Sequence, residues 1–83
     1  MIKSTFSQEY LVFLECLRTT RKEAGLTQEQ LAEHLYQTQS FISKCERGER
    51  RIDIVELRAF CLAFKMPLAD FIQKLEIAIQ QNQ

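Results

Sequence analysis

The chain has 83 residues, 46% of them hydrophobic, with 11 basic and 11 acidic side chains and no formal net charge. That length holds one domain with a small core, and two glycines with one proline argue against a turn-rich β architecture. No apolar run approaches the ~18 residues of a membrane span, and the start MIKSTFSQEY lacks a signal-peptide layout, so a cytoplasmic protein is expected.

Five helix starts punctuate the chain. Ser7 caps a first helix, with Phe6 and Leu11 at the staple positions either side of it. Leu14, Leu17 and Arg21 follow at spacings of three and four along one face, until Gly25 ends the helix. In LTQEQL, Thr27 and Gln30 form a capping box and Leu26 pairs with Leu31 as its staple, opening a short second helix that reaches about Leu35. Thr38 caps a third helix, which stops before Gly48, a natural left-handed terminator. Asp53 and Glu56 make another capping box, stapled by Ile52 and Leu57, and the fourth helix carries Leu57, Cys61 and Phe64 on its buried stripe. Pro67 opens a fifth helix from within its first turn, with Leu68, Phe71, Ile72, Leu75 and Ile79 apolar and a QQNQ tail expected to fray. No strand pattern competes, so the fold class is all-α. The core is expected from Leu17, Leu31, Leu35, Ile42, Leu57, Cys61 and Phe64.

Cys16, Cys45 and Cys61 form no CxxC pair and are odd in number, which fits reduced buried thiols better than a disulfide frame. Adding His34 supplies no zinc-ligand spacing, and nothing local orients His34 or activates a thiol. No metal, no cofactor and no enzymatic activity are therefore expected, and His34 decorates a helix end. Charge gives little away: residues 18–51 hold seven basic and five acidic side chains, a small excess.

The third helix is more informative. At about 100° per residue, Gln39, Ser40, Ser43, Lys44 and Arg47 share one arc of roughly 140° that contains no acid. Phe41, Ile42 and Cys45 lie opposite, and Glu46 falls at the seam. An amphipathic helix must have some polar face. An amide, two small hydroxyls and two long cations, however, suit base edges and phosphates in a major groove. A short capped helix precedes it across a tight break, the arrangement of a helix-turn-helix whose second helix reads DNA.

The stretch LRTTRKEAGLTQEQLAEHLYQTQSFISKCERGERRIDIVEL resembles the phage repressor and Cro-like, or XRE-type, helix-turn-helix family. The likeness runs from about Leu17 to Leu75 and rests on GLTQEQLA, an SxIS(K)xxERG pattern and the following ID. It implies a five-helix, lambda-repressor-like DNA-binding domain over 1–83, with its core at 8–77 and the helix-turn-helix at about 27–47. It also implies a transcriptional regulator, expected to be a repressor, acting as a homodimer on a palindromic duplex. By position, Gln39, Ser40 and Lys44 match base-contacting places, with Ser43 a weaker one. Gln28 matches a place that touches phosphate and braces the first reader, while Thr27, Arg47, Arg50 and Arg51 fall where phosphates are met. Arg21 and Glu46 match an internal ion pair. The chemistry agrees: Gln28 sits in a first helical turn whose free N–H groups attract phosphate. A glutamine such as Gln39 pairs with adenine N7 and N6, and a lysine such as Lys44 favours guanine O6 and N7. Each arginine has a plainer reading as a solvated loop charge.

Three departures stand out. Tyr36 occupies the bend where the family places glycine, so either the turn takes another shape or Tyr36 is held left-handed. Thr20 and Cys45 replace larger residues, leaving Cys45 as an inert core thiol or, less simply, a redox switch on the reading helix. So short a chain has no room for a ligand-sensing domain, and no small-molecule ligand or membrane partner is expected. The surplus apolar surface of the fifth helix, Ile77 beside Ile79, is expected to serve a twofold interface, ahead of Tyr10 and Phe13 on the first helix. The alternative is a protein-interaction module of the same fold, antitoxin-like, with DNA binding secondary.

Overall fold

A computed structural model describes residues 7–82, and the Phe6 side of the first staple lies outside them. Among the described residues five helices follow one another, with no strand: α1 (Gln8–Glu23), α2 (Gln28–Leu35), α3 (Gln39–Arg47), α4 (Ile54–Ala63) and α5 (Leu68–Gln81). The fold is all-α. Each of the first four helices starts on a side-chain oxygen that takes an otherwise orphaned amide. Ser7 Oγ accepts from Tyr10 N at 3.1 Å, and Thr38 Oγ1 from Phe41 N at 3.1 Å. Thr27–Gln30 and Asp53–Glu56 close as reciprocal boxes, at 3.1 and 2.9 Å and at 2.7 and 3.0 Å. Pro67 sits one place earlier than expected, at the N-cap with ψ 142, where its lack of an N–H costs nothing.

The four turns end alike. A left-handed residue donates its N–H three residues back, and the residue after it donates five back, so two orphan carbonyls are satisfied at each helix end. Gly25 and Gly48 fill two of these positions, with φ of 78° and 83°. Tyr36 and Lys65 fill the other two, with φ of 56° and 59°. The turn between α2 and α3 therefore has the family shape with a tyrosine in the glycine position. Tyr36 is 95% exposed, so its ring offsets none of the backbone cost by packing. Tyr36→Gly is expected to raise stability by about 1 kcal/mol, an upward shift of roughly 4–8 °C in thermal midpoint. An unchanged or lower midpoint would show that the position carries no such cost.

The core is built around α1, which packs against α3 on one side and α5 on another, while α4 packs on α2 and α5. This is why α1 buries Val12, Phe13, Leu14, Cys16, Leu17 and Thr20 rather than one narrow stripe. Leu17, Leu31, Ile42, Cys45, Phe60 and Phe71 are wholly enclosed. Leu35 is only half-buried at the end of α2, packed against the core, while Phe60 on α4, outside the expected core, is enclosed. Thr20 is buried with a partner, its Oγ1 accepting from Lys74 Nζ at 2.9 Å, so the smaller side chain admits a lysine head rather than leaving a gap. α5 is helical to Gln81, and Gln83 of the QQNQ tail lies outside the described residues. Asn82 Nδ2 caps the Ala78 carbonyl at 3.0 Å and Gln80 Nε2 donates to Glu76 Oε2 at 3.0 Å. Among the described residues no helix is long and apolar enough to cross a membrane.

Candidate nucleic-acid interface

Local caps and the left-handed Tyr36 turn set α2 and α3 as a helix-turn-helix. Gln39, Ser40, Lys44 and Arg47 are exposed along one side of α3, while Ile42, Cys45 and Glu46 are buried on the other. Ser43 is half-buried because Arg47 Nη1 donates to its Oγ. The exposed arc carries no carboxylate of its own. Burial pushes the Cys45 thiol up from its ordinary range, and with no exposed surface it is a core side chain.

Glu46 is not at a seam but 2% exposed, because α1 and α2 both close over it. Arg21 Nε donates to Glu46 Oε2 at 2.6 Å, and Nη2 to Oε1 at 3.2 Å. Arg21 Nη1 also donates to the Leu26 carbonyl at 2.9 Å, tying the α1–α2 turn to the same pair. Gln28 Nε2 donates to Glu46 Oε1 at 3.0 Å, and Gln28 Oε1 accepts from Gln39 Nε2 at 3.4 Å. A single line of polar contacts thus runs from the interior to the first residue of the exposed arc. Gln28 is half-buried and spends its carbonyl and one N–H inside this line, leaving a second side-chain N–H and its helix-start backbone amide for an outside acceptor. Thr27 uses its oxygen and its amide in the capping box and keeps a hydroxyl proton to donate.

Arg47 at the end of α3 and the two loop arginines after it are held by the protein itself. Arg47 Nε donates to Glu49 Oε2 at 2.8 Å. Arg50 forks onto Glu56 at 3.0 and 2.7 Å, with its guanidinium 4.7 Å from the centre of the Phe41 ring. Both acids are held below the usual carboxylate range by these guanidinium hydrogen bonds. Arg51 lies over the Tyr10 ring at 4.2 Å, on the α1 side. The cations of the exit loop therefore have fixed directions before any partner arrives, though Arg47 and Arg50 must share or exchange an acid to meet a phosphate.

Arg18, Phe41 and Glu56 are absent from the sequence-derived site. Arg18 Nη1 donates to the Glu46 carbonyl at 2.7 Å and so pins the last turn of α3 to α1. Glu56 has a visible signal as the capping-box partner of Asp53, but its second use on Arg50 depends on how the loop folds. His34 is exposed at the end of α2, and among the described residues no group of three or more His, Cys, Asp or Glu side chains is placed to hold a metal ion.

Comparisons with known proteins agree with this geometry. A family described as a helix-turn-helix domain matches residues 13–71. A solved structure of an XRE-family like protein from Pseudomonas syringae pv. tomato str. DC3000 is 38% identical, with a TM-score of 0.79, over 84% of this chain and 85% of that one. No functionally curated protein matches. The chain, with its two capped helices about Tyr36 and an acid-free arc on the second, belongs to the XRE-type helix-turn-helix family of DNA-binding regulators.

Proposed function

We propose that the protein is a sequence-specific transcriptional regulator, acting as a repressor, that reads duplex DNA with α3 in the major groove. Gln39, Ser40, Ser43 and Lys44 contact base edges. Thr27, Gln28, Arg47, Arg50 and Arg51 meet the backbone. The supporting observation is the exposed arc of α3, an amide, hydroxyls and cations with no carboxylate among them, set beside the free amides that open α2. It works as one non-enzymatic domain in the cytoplasm, where its three buried thiols stay reduced.

Two copies join through the C-terminal helix. Ile77 on α5 is 47% exposed and Leu11 on the adjoining α1 is 44% exposed, both beside the α1–α5 seam, which is apolar surface a twofold contact would cover. Such a dimer presents two reading helices about one DNA turn, roughly 34 Å, apart on a palindromic site.

Selecting bound duplexes from a random pool tests this directly, and an inverted repeat is the expected product. On that duplex, three arginines per copy and two copies per site imply a slope of log affinity against log salt of about −5 or steeper. Gln39→Ala is expected to lose about 1–3 kcal/mol of discrimination at one base pair per half-site while staying folded. A folded protein that captures no duplex at low salt would instead support an interaction module of the same fold.

A further inference from the structure

We infer that Glu46, a residue beyond the reach of DNA, is a positioning residue for base recognition: through Gln28 it sets which way the Gln39 amide faces. The inference rests on the proposed reading of bases by Gln39. It follows from what each group is able to donate. Glu46 is a buried carboxylate paired with Arg21 and can only accept. The Gln28 group facing it at 3.0 Å must therefore be the NH2, which turns the Gln28 carbonyl outward. That carbonyl also only accepts, so Gln39 must turn its own NH2 toward it. A half-turn of either amide would set oxygen against oxygen.

What Gln39 then offers the groove is one N–H and its carbonyl, in a single fixed order. Adenine presents N7 as acceptor beside N6–H as donor, and exchanging A·T for T·A at one position reverses their order along the groove. An amide free to rotate can present either order. An amide held by this relay serves one. The buried ion pair thus selects the strand that carries the adenine, in addition to holding the fold.

The test compares the selected duplex with the same duplex in which the base pair read by Gln39 is inverted. The full chain is expected to prefer one orientation by at least about tenfold, within the range of a bidentate contact. Gln28→Ala leaves the Arg21–Glu46 pair intact, and its preference should fall to within about threefold. If Gln28→Ala weakens both duplexes equally and keeps the ratio, Gln28 acts on the backbone alone and the inference fails. If Gln39→Ala keeps the ratio, the assignment of Gln39 as a base reader fails instead, and a chain that binds no duplex removes both. The free protein supplies an independent readout. The Gln28 side-chain amide protons should exchange with solvent measurably more slowly than those of exposed Gln73, and equal rates overturn the relay.

Discussion

Glu46→Ala is expected to lower the stability of the domain by about 3–5 kcal/mol, because it leaves the Arg21 guanidinium buried without its counter-ion. Arg21 is 7% exposed and Glu46 2%, so water cannot replace the missing carboxylate without opening the contact between α1 and α3. Three side-chain hydrogen bonds to the carboxylate disappear together, from Arg21 Nε, Arg21 Nη2 and Gln28 Nε2. A domain of this size holds only about 4–12 kcal/mol in total, so much of the population should be unfolded at moderate denaturant concentration. Urea unfolding measures it. A loss below about 1 kcal/mol would show that the pair is not sealed from solvent. The double variant Arg21→Met with Glu46→Leu should recover much of the loss, since removing both charges leaves nothing unpaired. It would not recover the preference for one orientation of the base pair, which separates the structural part of Glu46 from its positioning part.

Phe71→Ala is expected to cost about 3–5 kcal/mol as well, for a different reason. Phe71 is fully enclosed and meets Phe13 edge-on, with ring centres 6.1 Å apart and planes at 85°. It is the one residue of α5 that is completely buried, while Leu68, Leu75, Ala78 and Ile79 pack against the core only in part. The cavity it leaves should therefore loosen α5 as a unit. Chemical denaturation together with hydrogen exchange along α5 checks this. If the amides of α5 keep their protection while stability falls by less than about 1 kcal/mol, the helix is held by its partly buried residues and not by the aromatic contact. Since α5 also carries the exposed Ile77, the same variant should weaken any twofold association made through it.

Helix starts were legible in the sequence because a capping box is complete within four residues. Thr27 with Gln30 and Asp53 with Glu56 need no distant partner to form, and both form. The stripes of α2 and α3 were legible for a similar reason: periodicity alone separates Leu31 from Glu29, and Ile42 from Lys44. Tyr36 was undecidable at that level. Backbone preference disfavours a left-handed tyrosine, and it is the docking of α2 on α3 and the carbonyls satisfied by the turn that hold it there.

By its own order of residues, this chain determined five helices, their caps and the inner and outer faces of α3, which follow from contacts within a turn or two, and its motifs carried the resemblance to a DNA-binding family. Tertiary structure alone decided that Glu46 is sealed off, that Gln28 faces inward and that Arg50 is clamped by Glu56 over Phe41. Those outcomes depend on side chains from separate helices meeting at hydrogen-bond distance. Helical periodicity gives the direction in which a side chain leaves its helix, but not the group waiting on the next one.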